Sequence, residues 1–272
     1  MITILRNIAA ALVVALGFTL PASAATTSGT DYTDLWWGGG SENGWGLNVI
    51  HQGSIIFATL YVYNADGSPR FFSASSTFAT GASSFSGPLY DTHGTYYATN
   101  PYNAAAFGGT QVGTLTLNFS GPNAGTLQYN VGGTSVTKSI TRFAFGPNNL
   151  TGHYLGGMTA ASFCNGVSQN SLIFDTLNVT QSGNSVTMTV DFYNAQQVQS
   201  RCTFTGAFNQ QGNIASISGG FSCVYGSTQG NVGSYSITEI VMSQTGFSGK
   251  FTGSDNFCSS HSGYFGGVKD VI

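Results

Sequence analysis

The sequence predicts an all-β fold of two tandem antiparallel up-and-down barrels or sandwiches, the second of them held by two disulfides. Apolar and polar residues alternate in many segments, and no segment keeps an apolar period of about three to four residues. Tight-turn sequences such as Ala65-Asp66-Gly67 and Ser182-Gly183-Asn184 separate these segments at short intervals. Sequential strands joined by tight turns, without crossover helices, are typical of barrels and sandwiches.

Two segments show the alternation most clearly. Val, Met and Phe alternate with Thr and Asp over residues 186–192, and Leu and Phe alternate with Thr and Asn over residues 114–119. Each pattern describes an antiparallel strand with one buried face. Residues 94–109 show no clear alternation and predict a long loop.

Residues 1–24 are typical of a secretory signal peptide. Arg6 precedes an apolar run from Ile8 to Leu20, and Ala22 and Ala24 supply the small side chains that a signal peptidase requires. A membrane anchor needs about 20 apolar residues, and no later run has that length. We therefore expect an exported protein, in the periplasm or the extracellular medium, without a transmembrane segment.

A domain boundary is predicted at Gly146-Pro147-Asn148-Asn149, between an N-terminal β domain over residues 25–146 and a C-terminal, disulfide-stapled β domain over residues 150–272. The four cysteines all lie in the second domain: Cys164, Cys202, Cys223 and Cys258. An exported protein meets an oxidising compartment, so two disulfides are expected, and four cysteines allow three pairings. Residues 202–223 have the pattern of a hairpin, which favours Cys202 with Cys223 and leaves Cys164 for Cys258.

The composition excludes several classes of partner. Seven lysines and arginines stand against ten aspartates and glutamates, and the basic residues form no cluster. Nucleic acid and anionic membrane surfaces are therefore disfavoured as partners. Aromatic residues make up 13% of the chain, which provides apolar surface for a packed core despite the low charge content of 6%.

All three tryptophans lie in one short stretch, which contains Leu35-Trp36-Trp37, Glu42-Asn43-Gly44-Trp45-Gly46 and His51-Gln52-Gly53, followed by residues Phe57-Ala58-Thr59. Residues 33–146 resemble a family of largely uncharacterised exported proteobacterial β proteins. Those proteins carry Leu-Trp-Trp, Glu-Ser-Gly-Trp-Gly, His-Gln-Gly and Phe-Ala-Thr, with a later Val-Thr-Lys-Ser-Ile-Thr-Arg strand that corresponds to residues 136–142. The resemblance implies export and a β fold, and it implies no activity.

The chain departs from the pattern of that family at four positions. Gly38-Gly39 stands where Asn-Pro is expected, and Leu60 and Phe71 occupy positions that are often Trp. These differences argue against an extended aromatic platform.

Alternation places Trp45, Leu47, Val49 and His51 on one strand face and Gly46, Asn48 and Ile50 on the other. In a functional interpretation, three Trp rings stack on a sugar ring or an apolar ligand and three polar side chains orient it. The candidate ligand-binding residues are then Trp36, Trp37, Glu42, Trp45, Asn48 and His51. In a structural interpretation, the Trp side chains close one end of a barrel and Glu42 accepts hydrogen bonds from loop amides.

The ionisable residues show no catalytic or metal-binding signature. His-Glu-x-x-His, paired Cys-x-x-Cys and Gly-x-Ser-x-Gly motifs do not occur, so we assign no catalytic residue, metal or cofactor. Asp175 shares a predicted strand face with Ile173 and Leu177. It is interpreted as a carboxylate tied to a neighbouring strand or, alternatively, as a buried acid.

The sequence thus predicts a secreted or periplasmic, non-catalytic binding module that holds a small apolar or carbohydrate ligand at an aromatic barrel end. A barrel of about eight strands has room for one such ligand. The alternative is a structural or interaction protein of the cell envelope or secreted matrix, able to self-associate through strand edges. A hydrolase ranks third. An outer-membrane barrel is disfavoured, because lipid-facing alternation is irregular and the last residue, Ile272, is not aromatic.

Overall fold

A computed structural model describes residues 29–194 and 197–270, so the predicted signal peptide at residues 1–24 lies outside the described residues. Within them, the chain forms two closed eight-stranded antiparallel barrels, one after the other. In each barrel every strand pairs with its neighbours in sequence, and the last strand pairs with the first. The predicted all-β class is confirmed, in the form of barrels rather than sandwiches.

The first barrel is closed by its shortest strand. Its strands are β1 (Asp34–Trp37), β2 (Gly46–Gln52), β3 (Ile55–Tyr63), β4 (Pro69–Thr77), β5 (Ser84–His93), β6 (Gly108–Phe119), β7 (Ala124–Val131) and β8 (Thr134–Arg142). Short 3-10 turns cover Gly40–Glu42 and Ala104–Ala106. Strand β1 pairs with β2 and with β8, so that Trp36 lies opposite Leu47 on one side and Arg142 on the other.

The second barrel has longer strands. They are β9 (Gly152–Cys164), β10 (Val167–Ser182), β11 (Ser185–Tyr193), β12 (Gln199–Gln211), β13 (Ile214–Tyr225), β14 (Thr228–Ser243), β15 (Gly246–Asp255) and β16 (Cys258–Lys269). Strand β16 returns to pair with β9 and closes the barrel. The connection between the two barrels runs over residues 143–151.

The alternating segments bury the side chains that their patterns predict. Leu115, Leu117 and Phe119 of β6 point into the first barrel. Residues 186, 188, 190 and 192 of β11 point into the second barrel. The segment predicted as a long loop connects β5 to β6, although β6 already begins at Gly108.

Both predicted disulfides are present in the second barrel. Cys202 and Cys223 are directly opposed on β12 and β13, as the hairpin pattern predicts. Cys164 and Cys258 join β9 to β16, across the pair of strands that closes the barrel. The second bond spans 94 residues of chain. In the chain-entropy account, so long a loop restricts the unfolded state more than the 21-residue loop of the first bond does.

A buried ion pair holds the seam between β1 and β8. The Nη1 of Arg142 donates to Oδ2 of Asp34 at 3.0 Å, and the two side chains are 0% and 2% exposed. Other N–H groups of Arg142 donate to the carbonyl oxygens of Pro122 at 2.7 Å, Thr33 at 3.1 Å and Asp31 at 2.5 Å. Its guanidinium also lies over the ring of Trp36, 4.9 Å from the centroid.

The same ion pair contacts the second barrel. The turn between β12 and β13 lies against it, and the backbone N–H of Asn213 donates to Oδ2 of Asp34 at 2.8 Å. Gly212 has a φ of +63°, and a Cβ atom there would lie 2.6 Å from Cβ of Arg142 and against the carboxylate of Asp34. Both the left-handed backbone and the close approach therefore require glycine at this position.

Arg142→Leu tests this pair, because it leaves the carboxylate of Asp34 buried without its cation. We expect the free energy of unfolding of the first barrel to fall by about 3–5 kcal/mol. Urea unfolding followed by Trp fluorescence measures it, since all three Trp belong to the first barrel.

Arg201→Leu is the matched control, because the side chain of Arg201 is 57% exposed in its pair with Asp191. Its loss should cost about 1 kcal/mol or less, measured by global unfolding in urea. A cost for Arg142→Leu no larger than this would contradict the role assigned to the buried pair.

Candidate functional site

The tryptophans of the first barrel do not form one surface. Trp36 is 1% exposed and belongs to the barrel core, where its Nε1 donates to the carbonyl oxygen of Tyr32 at 3.1 Å. Trp37, the next residue on β1, is half-buried on the opposite strand face, with its ring edge-on to Phe143 at a centroid distance of 4.9 Å.

Trp45 and Glu42 lie together at the end of the first barrel where β2 begins. Oε2 of Glu42 accepts hydrogen bonds from Nε1 of Trp45 at 3.0 Å and from Nζ of Lys138 at 2.9 Å. The hydrogen bond from Lys138, and then that from Trp45, lower the pKa of Glu42. A Cβ atom at Gly38 would lie 2.9 Å from the ring of Trp45. Glycine at this position thus permits the packing of the Trp45–Glu42 pair.

His51 lies at the other end of β2. Its ring is edge-on to Phe78 at a centroid distance of 5.1 Å, beside a small cavity of about 330 Å³. Asn48 is on the outward face of β2, opposite to the face of Leu47 and Val49. The predicted strand alternation is correct, and for that reason Asn48 points away from the side of the strand that carries His51.

A cavity of about 900 Å³ lies in the second barrel. Its floor is apolar and mainly aromatic, formed by Met158, Ile173, Phe192, Phe204, Phe221 and Phe251. Cysteines of both disulfides also line it: Cys164, Cys223 and Cys258. The cavity is therefore at the end of the barrel that both disulfides brace.

Unequal strand lengths open the barrel wall beside this cavity. Strand β10 pairs with β11 only from Thr176 to Ser182, whereas it pairs with β9 from Val167 onward. Over residues 167–175, one edge of β10 has no partner strand in the described part of the chain. Val167 and residues 169–173 of this stretch line the cavity.

The polar side of the cavity is built around Asp255, whose side chain is 2% exposed. Its Oδ1 accepts the backbone N–H groups of Phe257 at 2.8 Å and Cys258 at 2.6 Å. Its Oδ2 accepts hydrogen bonds from Nδ2 of Asn231 and, at 3.2 Å, from Nε2 of His261. Burial alone would raise the pKa of Asp255, but these hydrogen bonds together hold it below the usual aspartate value.

Two branches of hydrogen bonds connect Asp255 to the cavity surface. In one, Nδ1 of His261 is 2.6 Å from Oγ of Ser162, which is 2.7 Å from Oγ of Ser171. In the other, the hydroxyl of Tyr225 donates to Oδ1 of Asn231 at 2.9 Å. Ser171 and Tyr225 line the cavity at the outer ends of the branches.

The order Ser162–His261–Asp255 is that of a catalytic triad, but the serine is not placed as a nucleophile. In a triad the serine hydroxyl faces the substrate. Ser162 is 3% exposed and is separated from the cavity by Ser171, which lines it.

Possible metal ligands also meet beside the cavity. Ligand atoms of Asp255, Cys258 and His261 lie within 4.8 Å of one another. The sulfur of Cys258 is bonded to Cys164, so it offers no thiolate to a metal ion.

The sequence alone does not predict this network. Ser162 and His261 are 99 residues apart and meet only because β16 pairs with β9. The one local signal was the spacing of Asp255 and His261, each three residues from Cys258. Asp175, the acid that the sequence singled out, is half-buried on β10 opposite Gly156 and does not line the cavity.

Fold and cavity together define a class: a tandem up-and-down β-barrel protein with a ligand-sized cavity in its second barrel. Comparison with protein-family models, curated proteins and solved structures gives no match. The resemblance of residues 33–146 to an exported proteobacterial family therefore stays a prediction. In the part of the chain that the structure describes, we find no helix with the length and apolar character needed to cross a membrane.

Asp255→Asn tests the buried carboxylate. Because the pKa of Asp255 is lowered in the folded protein, its ionised form stabilises the second barrel above the usual aspartate pKa of about 3.9, and this stabilisation is lost as the pH falls below that value. We expect the urea midpoint of the second barrel to fall more steeply from pH 4 to about pH 2 in the wild type than in the variant. NMR amide signals of residues 150–270 report the unfolding of the second barrel. An equal pH dependence of the midpoint in the wild type and the variant would contradict the stabilising role of the Asp255 carboxylate.

Proposed function

We propose that this chain is an exported, non-catalytic binding protein that holds one small, mainly apolar ligand in the cavity of the second barrel. The cavity itself carries the proposal, because about 900 Å³ lies within the range of small-molecule sites, roughly 300–1,000 Å³. An eight-stranded barrel encloses space for one such ligand. The two disulfides are compatible with export, since they form in oxidising compartments.

The aromatic floor supports an apolar ligand. Phe204 stacks on Phe221 at a centroid distance of 5.2 Å, and the ring of Tyr235 packs edge-on against Phe204 at 5.2 Å. These contacts hold the floor rigid, so a ligand meets a preformed surface. Burying an apolar group the size of a Leu or Phe side chain contributes roughly 1.5–3 kcal/mol.

This location differs from the aromatic barrel end that the sequence suggested. Trp36 is within the core of the first barrel, and Nε1 of Trp45 is bonded to Glu42. The small cavity at His51, about 330 Å³, is lined mainly by short residues. The second barrel offers both the larger volume and the larger aromatic surface, which favours an apolar ligand over a carbohydrate.

Binding of Nile red, an uncharged dye that fluoresces in apolar surroundings, tests the proposal. We expect saturable binding of one dye per chain, measured by fluorescence titration with direct excitation of the dye. Ile173→Trp should weaken it at least tenfold, because Ile173 lines the cavity and the larger ring fills it.

Phe174→Trp is the matched control, since Phe174 is adjacent to Ile173 on β10, points outward, is 58% exposed and does not line the cavity. Dye affinity should stay at the wild-type value in this variant. Binding that does not saturate, or that both variants weaken equally, would count against a ligand in the cavity.

A structural or interaction protein is the second candidate, favoured by one observation on the first barrel. Apolar side chains are exposed on the outward faces of β2 to β4, where Ile50 is opposite Phe57 and Tyr61 is opposite Phe71. Each of the four is between 41% and 49% exposed. Exposed apolar side chains grouped on one face in this way favour a contact site.

Sedimentation equilibrium of the wild type and a Phe57→Ser/Phe71→Ser variant tests this candidate. If the patch is a contact between copies, the wild type should self-associate with rising concentration and the variant should remain monomeric. Phe145→Ser is the control, because Phe145 is 84% exposed in the connection between the barrels, outside the patch. A wild type that stays monomeric removes self-association through this face.

A further inference from the structure

We propose that the ligand of the second barrel carries a protonated amine on its apolar body. This inference rests on the proposed function and specifies the chemical class of its ligand. It follows from the direction of the hydrogen bonds around Asp255 and from the charge of the cavity lining.

The first branch presents an acceptor to the cavity. The carboxylate of Asp255 can only accept, so Nε2 of His261 carries a proton, and whenever the ring is neutral its Nδ1 is an acceptor. Ser162 then donates its only proton to Nδ1, and Ser171 donates its proton to Ser162. With its proton committed, Oγ of Ser171 offers lone pairs to a ligand.

The second branch also ends in a hydrogen-bond acceptor. Asn231 directs its Nδ2 to Asp255, so its Oδ1 faces the hydroxyl of Tyr225 and accepts that proton. Burial, and then the charge of Asp255, raise the pKa of Tyr225, so the hydroxyl keeps its proton. The Oη atom of Tyr225 therefore also acts as an acceptor toward the cavity.

The charge of the lining favours a cation. Among the described residues that line the cavity, Asp255 is the one carboxylate, and none is a lysine or an arginine. The lining is thus singly negative when the ring of His261 is neutral. Its other polar side chains include neutral amides that discriminate little between charges: Asn165, Gln169, Asn170, Asn194 and Gln229.

The aromatic floor adds to this preference. Aromatic faces attract cations within about 6 Å, and more strongly where water is excluded. An anionic head group such as a carboxylate would meet no cationic partner in the lining and would be repelled by Asp255. An ammonium group can donate to Ser171 or Tyr225 while its apolar body covers the Phe rings.

Three probes that share one naphthalene ring test the inference: 2-naphthylmethylamine, 2-naphthalenemethanol and 2-naphthoate. Isothermal titration of the mature chain at pH 8, well above the usual histidine pKa of about 6.5, compares a cation, a neutral alcohol and an anion. We expect the amine to bind at least tenfold more tightly than the alcohol, because hydrogen bonds to charged groups are the stronger ones. The naphthoate should bind most weakly.

Ser171→Ala and Tyr225→Phe each remove one acceptor and should each reduce the advantage of the amine over the alcohol about tenfold. Ser168→Ala is the matched control, because Ser168 is on the outward face of the same strand and is exposed. It should leave the advantage unchanged. Thermal unfolding of the variants confirms that each is folded.

The outcomes separate this inference from the proposed function. Equal binding of the three probes, or a preference for the naphthoate, overturns the amine and leaves the apolar ligand intact. If the amine keeps its full advantage over the alcohol in both Ser171→Ala and Tyr225→Phe, these two residues are not the acceptors. If none of the probes binds and Nile red also fails, the proposed function falls and the inference falls with it.

Discussion

The buried ion pair between Asp34 and Arg142 is the interaction on which the arrangement of the two barrels depends. It joins β1 to β8, where the short first strand closes its barrel. The carboxylate of Asp34 also accepts a hydrogen bond from the backbone N–H of Asn213, in a turn of the second barrel. A buried ion pair is tolerated only when its remaining polar groups are satisfied. Here the carbonyl oxygens of Asp31, Thr33 and Pro122 take the other donors of the guanidinium. One ion pair therefore joins the closing strands of the first barrel and contacts the second barrel.

Each barrel contains a buried carboxylate, and the two are neutralised differently. Asp34 has a cation against it, so the charge of the first barrel's seam cancels. Asp255 has four hydrogen-bond donors, which stabilise the carboxylate, yet none of them brings the permanent positive charge of an arginine or lysine. Its negative charge therefore acts on the adjacent cavity. A buried carboxylate thus stabilises the closing seam of the first barrel, and another places a negative charge beside the cavity of the second barrel.

Much of the fold could be predicted because it depends on neighbours in sequence. Alternation along β6 and β11 reports the buried face directly, and the hairpin of β12 and β13 places Cys202 opposite Cys223 within 21 residues. The structure does not bring the candidate residues of the first barrel together on one surface, for a geometric reason. A strand rises about 3.3 Å per residue, so Trp45 and His51 lie roughly 20 Å apart along β2 even though they share a face.

The sequence by itself determined the all-β class, the strand faces and the disulfide pairing, because a period of two residues and a tight turn act over a few neighbouring positions. Only the tertiary structure decided where the cavity of the second barrel lies. The cavity exists because β10 extends past the end of β11, and its polar side exists because β16 returns to β9 and brings His261 to Ser162. Contacts that close a barrel join residues far apart in the chain, and no local pattern of side chains encodes them.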